Sequence, residues 1–270
     1  HTEMLVLFGI KMKKFSFEIQ GYDGEARAGL VKTKHGAIKT PVFMPVGTSA
    51  SVKAIYPHDL LNIDIEIILA NTYHLMLRPG ENLIKKLGGL QKFMNWNKPI
   101  LTDSGGFQIW SLSKLSKISR DGIDFSSHLD GNNYFLTPEK SIEIQEKLNS
   151  TITMVLDECT EYPASYKRSK KSMELSLEWA AKSKKKFRRR IGYGIFGIIQ
   201  GGMFNDLREL CIKELQKINF DGYAFGGLSV GETHKEMIDV LDKTTDFVDY
   251  LKPRYLMGVG RPIDILESVE

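Results

Sequence analysis

The sequence predicts an α/β protein built as a (β/α)8 TIM barrel, on three observations. Apolar runs of strand length alternate with longer amphipathic stretches. The runs are mostly apolar throughout, the pattern of parallel strands covered on both faces. Polar groups follow at least five of them. In a barrel every strand delivers its C-terminal end to one mouth, whereas an open doubly wound sheet concentrates its groups at a single switch point.

Seven runs qualify as strands: Pro41 to Val46, Ile63 to Ala70, Pro99 to Thr102, Ile152 to Leu156, Gly194 to Ile199, Gly222 to Phe225 and Arg254 to Val259. The second ends in Asn71-Thr72-Tyr73-His74, the third in Asp103-Ser104-Gly105-Gly106 and the fourth in Asp157-Glu158-Cys159. The fifth ends in Gln200-Gly201-Gly202, the sixth in the run Gly226 to Glu232, and the seventh in Met257-Gly258-Val259-Gly260. Thr137-Pro138-Glu139 supplies an N-cap, a proline at the first helical position and an early acid, leading into a helix over Ser141 to Leu148. Lys167 to Phe187 holds several helical turns. Asn205 to Ile218 carries Leu207, Leu210, Cys211, Leu215 and Ile218 on one face, and Thr233 to Phe247 repeats the theme with Met237, Ile238, Leu241 and Phe247. A last helix enters at Arg261-Pro262-Ile263-Asp264. With seven strands counted, the barrel lacks its eighth, and the expectation is a chain truncated relative to a longer protein.

A chain of 270 residues with 42% hydrophobic content can bury a sizeable core. No apolar run approaches the roughly 20 residues of a membrane helix. Met4 to Ile10 is apolar but short and lacks the flanks of a signal peptide. Residues 1–11 read as a tag or upstream extension, Met12 as a natural start, and residues 12–270 as a single catalytic domain. Cys159 and Cys211 give neither a disulfide framework nor a metal spacing, which fits a reducing cytoplasm. The net charge of +4 is uneven: Lys182, Lys184, Lys185, Lys186, Arg188, Arg189 and Arg190 form a basic block, with Lys167, Arg168, Lys170 and Lys171 upstream. The block reads as a solvated helix end, with phosphate contact as the alternative.

The stretch Leu101 to Gln108 concentrates the most chemistry. Ser104, Gly105 and Gly106 form a turn whose paired glycines let backbone N–H groups approach a ligand. Asp103, at the end of its strand, can transfer protons or bond a polar ring edge. Asp103, Asp157 and Gln200 together can read the donor and acceptor edge of a purine or pyrimidine, and Gly227 can add a backbone N–H. Phe107 and Met257 offer flat apolar surfaces for a ring. Each has a plainer reading: a cap for Asp157, core packing for Met257, a hydrogen-bonded structural role for His74, and barrel or helix packing for Tyr255 and Trp110. No metal-ligand spacing occurs, and Gly258-Val259-Gly260 lacks the third glycine of a dinucleotide fingerprint.

Six motifs in order carry a family resemblance: TPVFMPVGT at Thr40 to Thr48, ILANTYHL at Ile68 to Leu75, LTDSGGFQ at Leu101 to Gln108, FGIIQGG at Phe196 to Gly202, GGLSVGE at Gly226 to Glu232 and RYLMGVG at Arg254 to Gly260. From about Ala26 onward the chain resembles bacterial-type tRNA-guanine transglycosylases. The resemblance implies exchange of the wobble guanine of tRNA for a 7-aminomethyl-7-deazaguanine precursor of queuosine, through a covalent RNA–enzyme intermediate. It implies Asp103 as general acid/base, Asp157 and Gln200 as readers of the base edge, and Gly227 as a backbone donor. Leu228 meets the aminomethyl group through its carbonyl, and Phe107 and Met257 sandwich the ring. Gly258, Val259, Gly260, Arg261, Pro262, Ile263 and Asp264 are implied along the tRNA backbone. Val230 and Cys159 resemble the bacterial enzymes, with Val230 narrowing the pocket against queuine's cyclopentene ring.

The same resemblance implies a homodimer. It also implies a nucleophilic aspartate and a structural zinc site, a cysteine cluster plus a histidine, both expected beyond Glu270. On that expectation this polypeptide alone is inactive and contains no cofactor, while the full-length protein is active and binds zinc. Two other readings stand beside it: a non-catalytic tRNA-binding homologue or partner subunit, and a barrel enzyme acting on free nucleobases.

Overall fold

The computed structural model describes residues 14–112 and 116–270; the expected extension over residues 1–11 and the start at Met12 lie outside them. Seven parallel strands form one sheet: β1 (Val46–Gly47), β2 (Ile68–Ala70), β3 (Ile100–Thr102), β4 (Ile152–Met154), β5 (Gly194–Ile199), β6 (Gly222–Phe225) and β7 (Arg254–Leu256). Spatial order follows chain order, and every paired neighbour is parallel. This is an incomplete α/β barrel, with β1 and β7 as its edges among the described residues. Every residue of β2 to β6 is buried, as continuous apolar runs require.

The main outer helices are α1 (Pro138–Lys147), α2 (Tyr166–Lys186), α3 (Asn205–Ile218), α4 (His234–Thr244) and α5 (Pro262–Val269). Thr137 caps α1 by accepting from the Lys140 N–H, and Ser165 caps α2 through the Arg168 N–H. Thr233 and Glu236 form a reciprocal capping box on α4. None of the described helices is long and apolar enough to cross a membrane.

Several boundaries differ from the sequence reading. Of Pro41 to Val46 only Val46 enters the sheet, joined by Gly47. Ile63 to Ala70 contributes only Ile68–Ala70, because Pro57–Asn62 forms a helix and a turn at Asp64 follows it. β4 stops at Met154 and β7 at Leu256; the apolar runs continue past the last paired residue, buried through Leu156 after β4 and half-buried at Met257 and Val259 after β7. On α3, Leu210 is exposed and its place on the inner face is taken by Arg208 and Ile212. Phe247 lies in a 3-10 turn after α4 and is also exposed.

Two antiparallel sheets were not anticipated. Ser16–Asp23, Ala26–Thr33 and Gly36–Thr40 form a meander that sends Val31 and Ile38 into the core beneath the barrel, where Phe15 meets Phe196 edge-on. Ser116–Ile118, Ile123–Ser126 and Asn133–Leu136 form a second meander, between β3 and α1, that packs Ile123, Phe125 and Leu136 against Tyr73 and Leu156.

The basic block sits at the end of α2 and the approach to β5, on the face opposite the mouth. Lys186 pairs with Glu143 at 2.5 Å and Arg189 with Asp221 at 3.4 Å; Lys184 donates to the Asn219 carbonyl, and Arg190 stacks over Tyr193. These cations are engaged within the protein, in line with the solvated-helix-end reading.

Gln145 on α1 ties the sheet together where the site begins. Its Oε1 accepts from Thr102 Oγ1 (2.7 Å) and from the Met154 N–H (3.0 Å), and its Nε2 donates to the Met154 carbonyl (2.9 Å). The β3–β4 register ends with Thr153 opposite Thr102, so the amide stands in for the strand partner that Met154 lacks there. Gln145→Leu strands these buried groups. We expect it to lower unfolding free energy by about 3 kcal/mol, read from the urea midpoint at constant m-value; an unchanged midpoint shows that the bridge is dispensable.

Candidate active site

The strand ends converge on a cavity of about 970 Å³ whose wall includes Asp103, Asp157, Gly227, Leu228 and Met257. Asp103 follows β3 directly and is 8% exposed. Its Oδ2 accepts from Asn71 Nδ2, its Oδ1 from the Thr72 N–H at 2.8 Å, and its own carbonyl from Thr72 Oγ1 at 2.6 Å. Burial pushes its carboxyl up to about 6, against the opposing pull of the hydrogen bonds from Asn71, Thr72, Gln108 and Gly105.

Asp157 stands three residues past β4 and is equally buried. Its Oδ2 accepts from Gln200 Nε2 at 2.7 Å, and Ser104 Oγ approaches Oδ1 at 3.5 Å. Burial raises it to about 6, opposed by the bonds from Gln200 and Ser104 and assisted by the nearby charge of Asp103. It makes no cap; the plainer sequence reading of this residue does not apply.

Gln200, at the end of β5, has no exposed surface and sits behind Asp157 without lining the cavity. Its N–H donates to Cys211 Sγ at 3.4 Å, and its Oε1 has no hydrogen-bond partner among the described residues. Gly227 adopts φ +62°, and a Cβ there would lie 2.5 Å from Gln200 Oε1, so both conformation and space demand glycine. Gly105 and Gly106 also stay off the cavity wall. Gly106 packs on the backbone of Asp157, whose carbonyl would lie 2.7 Å from an added Cβ. Gly106's smallness seats the helix Gly106–Leu112 against the residues after β4, and Gly105 supplies the turn's φ of +89°, where the sequence alone suggested direct ligand approach.

Phe107 and Met257 both line the cavity, Phe107 being 43% exposed at its rim. Val230 and Cys159 line it as well. Burial pushes the Cys159 and Cys211 thiols up to about 12, which keeps both as inert thiols. His74 is structural in its contacts: it meets Tyr73 and His128 edge-on, and burial followed by the His128 charge lowers its pKa. Tyr255 lines the cavity, beyond the packing role read from sequence.

In the β7–α5 loop, Gly258, Gly260, Arg261, Pro262 and Ile263 are exposed and Val259 is half-buried. Asp264 turns inward. It takes a bidentate contact from Arg261 at 2.8 and 2.9 Å and lies 2.8 Å from His234 Nδ1.

Four contributors escaped the sequence reading. Asn71 and Thr72 hold Asp103, and only their place at a strand end signalled it. Glu232 accepts from the N–H groups of Ser229 and Val230, the latter at 2.9 Å, and so shapes the loop after β6. Arg208 was hidden inside a helical pattern. Among the described residues no group of three or more His, Cys, Asp or Glu could hold a metal ion, so the zinc implied for the full-length protein finds no ligand set among them.

The family model for queuine tRNA-ribosyltransferase matches residues 23–270. The chain belongs to the queuine tRNA-ribosyltransferase family. It is 55% identical over 258 residues to a queuine tRNA-ribosyltransferase of Rickettsia rickettsii (strain Sheila Smith), covering 96% of this chain and 72% of that protein. Identity and coverage are the same for the enzyme so named in Rickettsia typhi (strain Wilmington), and identity is 54% for that of Rickettsia africae (strain ESF-5). Membership agrees with the barrel and with the convergence of family motifs on one mouth.

The two raised carboxyls give this mouth a pH signature. An aspartate raised from 3.8 to about 6 is favoured protonated in the fold, so its contribution to stability is fully present below the unfolded pKa and is lost as pH rises through about 6. In Asp157→Asn that dependence is removed. The variant should therefore gain on the wild type between pH 4 and 7, by up to about 3 kcal/mol, in denaturation series at each pH. Parallel curves would show an Asp157 that titrates normally.

Proposed function

We propose that the mouth is the base-exchange site of a tRNA-guanine transglycosylase, which replaces the wobble guanine of tRNA with 7-aminomethyl-7-deazaguanine. The observation that carries this is the pairing of Asp157 with Gln200 at 2.7 Å, next to Gly227. A guanine-type edge presents two donors, N1–H and the 2-amino group, beside one acceptor, O6. A carboxylate takes the donors and the Gly227 N–H serves the acceptor, while Gln200, off the cavity wall, orients the Asp157 carboxylate from behind. Leu228 offers its carbonyl to the aminomethyl substituent, and Phe107 and Met257 clamp the ring. Reaching this depth requires the wobble base to leave its stack.

The chemistry we assign is a double displacement. A carboxylate attacks C1′ of the ribose, the C1′–N9 bond breaks, and its electron pair leaves with guanine. The incoming base then attacks C1′ and releases the carboxylate, so two inversions preserve the anomeric configuration. Asp103 protonates the departing guanine and takes a proton from the incoming base, a task suited to a carboxyl near 6. The attacking carboxylate we assign to the part of the relatives' length that this chain does not span. Residues 12–270 act as one catalytic domain, Gly258 to Ile263 follow the RNA backbone, and the protein works as a cytoplasmic homodimer.

In the intact protein, Asp103→Asn should reduce incorporation of labelled guanine into tRNA by roughly 10²–10⁴-fold with an unchanged circular dichroism spectrum. Wild-type exchange by this variant would refute the assigned role. Val230 in the wall leads to a second expectation. Queuine should compete with labelled guanine at least about tenfold more weakly than 7-aminomethyl-7-deazaguanine, and Val230→Gly should narrow that gap; equal competition in the wild type removes Val230 as the selector.

A further inference from the structure

Arg208 is one of the largest side chains in the protein with no solvent exposure. It projects from α3 into the layer beneath the mouth. Its Nε donates to the Gly202 carbonyl at 2.7 Å, after β5, and its Nη2 donates to the carbonyls of Gly226 at 3.0 Å and Gly227 at 3.4 Å, after β6. Its Nη1 has no partner among the described residues. No carboxylate among them forms an ion pair with it; Glu232 acts on its charge only from a distance. A buried cation without a counter-ion is costly. Packing alone would be met by an apolar residue, as at Leu207 and Ile212 on the same helix.

The Gly226 carbonyl and the Gly227 N–H belong to one planar amide, in which they point in opposite directions. With the carbonyl turned to Arg208, the N–H is turned away from it, and Gly227 lines the cavity. No backbone partner takes that N–H among the described residues. A guanidinium bonded to the carbonyl draws electron density through the amide and strengthens the N–H as a donor.

We propose that Arg208 is a positioning residue for base exchange: through the Gly226–Gly227 peptide it aims and polarises the Gly227 N–H toward the carbonyl oxygen of the nucleobase. This rests on the reading of the mouth as a guanine-type site. When the C1′–N9 bond breaks, the electron pair stays with the base and part of the charge reaches O6. A donor fixed on that oxygen holds it more tightly in the transition state than in the ground state. The peptide relays the charge of Arg208 without placing the cation in the cavity.

The test compares Arg208→Lys and Arg208→Met with the wild type in the intact protein, using labelled guanine and labelled 6-thioguanine, whose sulfur is a weak acceptor on an otherwise similar edge. Arg208→Met should lower kcat/KM for guanine about tenfold while leaving KM for tRNA unchanged. Its loss with 6-thioguanine should be smaller by about threefold or more. Arg208→Lys, which keeps the cation but loses the fork, should show the same selectivity at reduced size and carries the comparison alone if the Met variant is insoluble. Equal losses with both bases, or none with guanine, overturn the proposal. A wild-type protein that exchanges neither base would instead overturn the reading of the mouth.

Discussion

Burying a carboxylate without a cation beside it raises its pKa, and the mouth of this barrel buries two. Asp103 and Asp157 each reach about 6 because the strand ends withdraw them from water and answer them with neutral donors only. Asn71 and the Thr72 N–H hold one; Gln200 and Ser104 hold the other. The neighbouring residues follow from that constraint. Gly106 must lack a Cβ for Asp157's backbone to sit where Gln200 can reach its carboxylate, and Gly227 must lack one for Gln200 itself to fit. Both acids are engaged by hydrogen bonds from within the protein. A ligand therefore competes with internal hydrogen bonds, and its selectivity rests on matching all of them at once.

The barrel makes this arrangement possible by ending each strand at a different depth. β3 stops at Thr102 and releases Asp103 immediately; β4 runs one residue further in register, to Met154, and places Asp157 three residues later. A shortfall of ladder partners appears between them, and Gln145 fills it with one side-chain amide. The same helix uses Ser141 to hold the Ser104 carbonyl. One outer helix thus sets the relative position of the two acids through buried polar contacts, which are more directional than the apolar packing around them.

The strands, the five outer helices and the identity of the two acids were legible because each rests on a local pattern: a continuous apolar run, a cap, or polar residues just past a run. The two antiparallel meanders were not, since their strands alternate, as in Phe17 and Ile19, and the continuous runs of the parallel strands dominate such a reading. Strand ends were overshot at Leu156 because burial continues where pairing stops, and at Val259 because apolar residues continue past β7 into a half-buried loop. Arg208 illustrates the deeper limit. At an i, i+3, i+4 position a charged residue reads as solvent-facing, and only the three-dimensional meeting of the Gly202, Gly226 and Gly227 carbonyls gives it a reason to be inside. Asn71 and Thr72 were visible at a strand end, but their partner Asp103 lies 32 and 31 residues away, respectively.

The separation of charge at the mouth has a chemical logic. A direct ion pair between Arg208 and Asp157 would repay part of the burial cost of both, and it is the obvious solution for stability alone. It would also pull the carboxyl well below the usual range and remove any proton near neutral pH. Here the cation bonds backbone carbonyls and the acids bond amides and a hydroxyl, with glycine peptides between them. The acids keep a pKa at which a carboxyl can give and take a proton near neutral pH, and in the role proposed for Arg208 the cation acts through the amide it bonds. A site that must release one purine-like base and accept another needs both properties, since the departing base leaves with a charge and the arriving one must lose a proton. Keeping the two charges one peptide layer apart lets a single rigid pocket serve both halves of the exchange.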